Sequence, residues 1–147
     1  MKIPLQIIDE QIQVGAVFRA PKYRTGLALI DFVVDTGSNV SFISPRDLMK
    51  INFPQNALTF KSMNYIGGGS SDISEIHDIV LAFHDEDTNL VKIPLKTFHA
   101  CTSHASRGDK RARSMLLPSV LGLDFLKTAD LSLYTKPAKN IAYLERI

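Results

Sequence analysis

The chain has 147 residues, 45% of them hydrophobic and 22% charged, with a net charge of +2 at pH 7. That length suits one domain (1–147) around one core, and the charge is too small to argue for a nucleic-acid partner. One cysteine, Cys101, cannot form an internal disulfide and favours a reducing compartment, while no apolar run nears the roughly 20 residues that span a bilayer.

The segments KIPLQII (2–8) and IQVGAVFRA (12–20) read as strands interrupted by Asp9-Glu10. Pro4, Asp9 and Glu10 come too early for a signal peptide's apolar region, so the expectation is a cytoplasmic protein with no membrane partner. PKYRTG (21–26) is a turn, and LALIDFVVD (27–35) a strand apolar on both faces, as a fully buried strand would be. SPRDLMKIN (44–52) predicts a short helix, with Ser44 as N-cap, Pro45 at the first position and Asp47 adding charge to the first turn.

Two further strands meet at the glycine run Gly67-Gly68-Gly69. Residues 76–83 and 91–100 then flank a polar hairpin turn, HDEDTN. Residues 101–114, with few apolar groups, predict an exposed mobile loop. A short helix is expected over 124–128, and LSLYT and NIAYLERI close the chain as a hairpin around KPAK. Many short strands and little helix predict a mostly β fold closed like a barrel, with one or two short helices.

Within FVVDTGSNVSFIS (32–44), an Asp lies between two apolar runs, where a carboxylate is costly to bury unless paired, hydrogen-bonded or used. Asp35-Thr36-Gly37-Ser38 after an apolar strand resembles the catalytic motif of aspartic proteases. SVLGLDFL (119–126) resembles their second signature, two apolar residues, a glycine and a short helix. The glycine-rich hairpin between them lies where the family has its flap. This order resembles the single-lobe, retropepsin-like branch, from about Ile12 onward.

The resemblance implies an acid-protease fold and an aspartic endopeptidase that needs no cofactor and no metal. Peptide hydrolysis without metal or covalent nucleophile needs an activated water, and two carboxylates sharing one proton supply both base and acid. The chain has one Asp-Thr-Gly and no Asp-Ser-Gly, so the second carboxylate would be Asp35 of another copy, in a twofold homodimer acting on a peptide or protein substrate. Thr36 would link the two motifs across the axis, Gly37 would allow the turn, and Ser38 would donate its hydroxyl to Asp35. Leu121 and Gly122 would pack beneath that turn. Tyr65, Ile66, Gly67, Gly68 and Gly69 would form the flap that meets substrate. The final strand, with the N-terminal one, would pair between subunits.

Each of these positions also admits a plainer role. An Asp in a turn can be a simple cap, and the second signature moves the balance toward catalysis. The glycine run lacks the lysine and spacing of a phosphate-binding loop. His99, Cys101 and His104 have metal-like spacing but no evident fourth ligand. Arg107, Lys110, Arg111 and Arg113 read as a solvated basic loop. The alternative function is an inactive module of the same fold that binds a protein or dimerises.

Overall fold

A computed structural model describes residues 1–58, 60–66, 69–103 and 115–147. Strands β1 (Lys2–Pro4), β2 (Gln6–Ile8), β3 (Gln11–Arg19) and β4 (Ala28–Val34) come first. Then follow β5 (Phe42–Ile43), helix α1 (Pro45–Lys50), β6 (Phe60–Ile66), β7 (Gly69–His84) and β8 (Leu90–Ser103). The described chain ends with β9 (Ser119–Leu121), α2 (Leu123–Ala129), β10 (Ser132–Lys136) and β11 (Ile141–Glu145).

Local chemistry accounts for the turns. Asp9 and Glu10 both have positive φ, 49° and 65°, between the paired residues Ile8 and Gln11. Two left-handed residues are what a primed two-residue hairpin turn requires, and its twist matches that of the strands. Ser44 caps α1, its side chain accepting from the Asp47 amide, and Pro45 occupies the first turn.

The larger sheet runs β2-β3-β4-β9-β5-β8-β7-β6, and β3 also pairs with β7. That extra pairing links β3, β4, β9, β5, β8 and β7 in a ring, in which each strand has a strand neighbour on both sides over part of its length. Phe18 and Phe32 are fully buried inside, both against Phe98, with centroids 6.1 and 6.3 Å away. Burying a ring of this size contributes about 1.5–3 kcal/mol relative to leaving it in water. Among the described residues no helix is long and apolar enough to cross a membrane.

Two expectations are corrected. First, β4 is buried on one face only: Ile30, Phe32 and Val34 point inward, while Leu29 remains 57% exposed. Leu29 lies along its own sheet over Gly15, where an added Cβ would stand 3.3 Å from its Cδ1, instead of meeting a second layer. Second, residue 101 does not open a loop. β8 continues through Ser103, and Cys101 is buried with Phe42, Ile73 and Val120 in a small second core. The rest of the predicted loop (104–114), with His104 and the basic run, lies outside the described residues.

The terminal strands pair within the chain, in a separate sheet ordered β1-β11-β10. Ile3 lies opposite Leu144, both buried, and the Arg146 amide donates to the Met1 carbonyl. The two termini satisfy each other's backbone groups, so the facing edges of β1 and β11 are already used.

β7 pairs with β8 along most of its length and changes partner on its other edge. Residues 80–82 pair with β3 and residues 69–74 with β6. The change falls near Asp78, whose φ is 55°, beside His77, whose amide donates to the Tyr23 hydroxyl at 2.9 Å. Beyond this kink the β6–β7 hairpin leaves the ring.

The β7–β8 turn is held by one exposed carboxylate. Asp85 Oδ1 accepts from the amides of Asp87 (2.9 Å) and Asn89 (2.8 Å), and Oδ2 accepts from the Asn89 side chain. Desolvation, the largest single influence, pushes its pKa up. The hydrogen bonds from Asn89 and Asp87, with the Met1 ammonium, outweigh that and hold it below the ordinary 3.8. A carboxylate with a lowered folded pKa stabilises the fold above its unfolded value, and the contribution fades as pH falls through the folded one. Asp85→Ala should therefore lower the urea midpoint at pH 7 and do so less at pH 2. An equal loss at both pH values would contradict this account.

Candidate functional site

Val33 and Val34 of β4 pair in parallel with Val120 and Leu121 of β9. At the end of this pairing the Asp35 amide donates to the Leu121 carbonyl at 3.0 Å, which fixes where the chain turns. The Ser38 amide closes the turn onto the Asp35 carbonyl at 3.1 Å. Asp35 Oδ1 accepts from the Gly37 amide at 2.8 Å. Asp35, Thr36 and Gly37 are all exposed, so the carboxylate that the sequence frames with apolar strands is presented to solvent by them.

Ser38 does not serve Asp35 as expected. Its hydroxyl donates to the Val40 carbonyl at 2.8 Å, a local bond that shapes the next turn. The amide of Gly37 is the group that holds Asp35 instead.

Gly122 lies directly beneath the turn. An added Cβ there would stand 2.4 Å from the Ser38 carbonyl oxygen. Its φ of −102° is open to any L residue, so the requirement is space, not backbone freedom. Leu123, the next residue, donates its amide to the same Ser38 oxygen at 2.9 Å. Leu121 and Gly122 thus form the floor on which the Asp35 turn rests.

The flap candidates are partly visible. Tyr65 pairs with Ser70 and Ile66 with Gly69 at the end of the β6–β7 hairpin, while Gly67 and Gly68 lie outside the described residues. Nearer its base, Ile73 of β7 packs with Phe42 and Val120. Val120 in turn pairs with Val33, two residues before Asp35, so the hairpin is rooted beside the Asp35 turn.

Four polar residues complete the arrangement, and sequence reasoning gave none of them this role. The Ser41 hydroxyl donates to Asp124 Oδ1 and accepts from the Gly122 amide at 2.7 Å, and the Ser41 amide donates to Asp124 Oδ2 at 3.1 Å. The Ser119 hydroxyl donates to Asp47 Oδ2 at 2.6 Å and accepts from the Ser44 amide at 2.9 Å. Asp47 is 4% exposed and Ser119 fully buried. The available signal was a serine or an acid inside an apolar run, where burial demands a partner. His99 Nδ1 stands 3.3 Å from the Ser41 carbonyl. Among the described residues no group of three His, Cys, Asp or Glu side chains could hold a metal.

No protein-family model matches the chain, and no curated protein matches it. Solved structures do. The chain is similar to a retropepsin-like aspartic protease from Rickettsia conorii at 17% identity and a TM-score of 0.59, over 99% of this chain and 91% of that one. It is also similar to the retroviral protease-like domain of Ddi1 from Leishmania major, at 16% identity and a TM-score of 0.48, over 90% and 94% of the two chains. The first likeness, spanning nearly the whole of both chains, shows a retropepsin-like fold.

Proposed function

We propose that this retropepsin-like chain is an aspartic endopeptidase whose active site is completed by a second copy of itself. The observation that carries the reading is the Asp35 turn: an exposed carboxylate, oriented by the Gly37 amide and anchored by its own amide to β9. The sequence supplies one such turn per chain, so a dyad needs two chains. In the twofold dimer the two Asp35 side chains share one proton, because like charges about 3 Å apart do not both ionise easily. The ionised carboxylate takes a proton from water, and the protonated one polarises the scissile carbonyl.

In this reading Thr36 braces the dyad across the axis, and the hairpin carrying Tyr65, Ile66 and Gly69 closes over an extended peptide. Closure excludes water from the reaction. The substrate is a peptide or protein segment. The single, buried Cys101 fits a reducing compartment such as the cytoplasm.

The test pairs solution mass with cleavage of a mixed peptide library from mildly acidic to neutral pH. A dimer that cleaves internal bonds, and that binds a statine-type transition-state mimic far more tightly than substrate, is expected. A strict monomer would defeat the shared site. A well-folded dimer that cleaves nothing would favour the inactive binding module.

A further inference from the structure

β9 carries the carbonyl that anchors Asp35 and runs into the glycine beneath the turn, yet it is only three residues long. Three residues of pairing with β4, and one pair with β5, constrain such a strand weakly. Both of its ends are also held by a serine–carboxylate pair. At the N-terminal end the Ser119 hydroxyl is given to Asp47, which the Arg46 guanidinium approaches at 3.5 Å. Just past the C-terminal end the Gly122 amide is given to Ser41, whose hydroxyl is given to Asp124.

We propose that Asp47 and Asp124 are positioning residues that clamp β9 at its two ends, through Ser119 and Ser41, and thereby set the turn presenting Asp35. This rests on the reading of Asp35 as catalytic, and neither aspartate touches the reacting atoms. The direction of each bond supports the role. A hydroxyl that donates to a carboxylate is left with its lone pairs for a backbone amide, so each serine passes the carboxylate's hold to the main chain. In both pairs that amide is buried or partly buried: Ser44 for the first, Gly122 for the second. Bonds with an ionised partner are about twice as strong as neutral ones, and a linked set behaves as a unit. Ser41 and Gly122 are 81 positions apart in sequence, so the clamp joins the catalytic loop to the second motif directly.

Ser41→Ala tests the clamp, with Ser41→Thr as the variant that keeps the hydroxyl. Two readouts are taken: kcat and KM on a cleaved peptide, and hydrogen exchange of the Asp35 and Gly122 amides. Misplacement of a reacting group by about 1 Å can cost roughly 100-fold in rate. Ser41→Ala should therefore lower kcat by about 10- to 100-fold with KM within about twofold. It should also lose protection at Gly122 and Asp35 while Leu81 in the core keeps it. Ser41→Thr should restore most of both. Asp124→Ala should match Ser41→Ala, and the double variant should be no worse than either single one.

Unchanged Gly122 exchange in Ser41→Ala would overturn the proposal. So would equal damage in Ser41→Ala and Ser41→Thr, since the loss would then follow packing and not the hydroxyl. The exchange readout needs no activity. If the wild-type chain cleaves nothing, the protease reading falls while the clamp is still tested on its own.

Discussion

Asp35→Asn should abolish peptide cleavage while leaving the fold and the dimer intact. The asparagine carbonyl can still accept the Gly37 amide, and the bond from the residue's own amide to the Leu121 carbonyl does not involve the side chain. The turn therefore keeps its shape. What is lost is the ionisable group, and removing a general acid–base group costs about 100- to 10,000-fold in rate. In the proposed dimer both copies change at once, so no carboxylate remains to activate water. The dyad shares one proton and so carries a single charge, and two amides of the same shape can hydrogen-bond in its place. Sedimentation should show that Asp35→Asn is still a dimer. Wild-type cleavage by Asp35→Asn would place the activity elsewhere. Loss of cleavage together with loss of the dimer would show that Asp35 holds the interface and would leave the catalytic role to the pH–rate profile of wild type.

Gly122→Ala should be more damaging than alanine at Gly15, Gly26 or Gly37, and Gly122→Val worse. The added carbon would meet the Ser38 carbonyl oxygen at 2.4 Å, a backbone atom that cannot rotate away. By comparison, the same addition at Gly15 meets only the tip of Leu29, at 3.3 Å, and at Gly26 it meets nothing closer than 3.7 Å. Overpacking of this kind costs typically about 1–3 kcal/mol. Here the strain falls on the Ser38 carbonyl that also accepts from Leu123, so the Asp35 turn and the start of α2 are pushed apart together. Thermal unfolding should show Gly122→Ala less stable than Gly26→Ala, and its kcat should fall further than its stability alone explains. A Gly122→Val variant with full activity would refute this placement.

The parts of this protein that are legible in the sequence are those governed by local rules. Ser44-Pro45 announces a helix start, KPAK and HDEDTN announce hairpins, and an apolar run ending in Asp-Thr-Gly announces a turn at a strand end. Each depends on residues within a few positions of one another. The features that sequence reasoning misses depend on distant ones. An apolar residue such as Leu29 does not say whether anything will cover it. Cys101 sits in a polar stretch of sequence and is buried only because Phe42, Ile73 and Val120 arrive from three other strands. Proximity in sequence pairs Ser38 with Asp35, although the Val40 carbonyl lies within easier reach. The Ser41–Asp124 and Ser119–Asp47 bonds join residues 83 and 72 positions apart, and nothing local marks them as partners.

The parallel pairing of β4 with β9 also governs when the site can exist. Asp35 lies in the first quarter of the chain, but the carbonyl that anchors it belongs to Leu121. Loops of such length close late and slowly, because their entropy must be lost before the contact is made. During synthesis the N-terminal strands can begin to pair while the Asp35 turn still lacks its floor. A ribosome-bound chain that has not yet released Leu121 and Gly122 therefore carries the motif without the site. If the proposed activity holds, it is timed by topology and arrives only once Leu121 and Gly122 have folded beneath the turn.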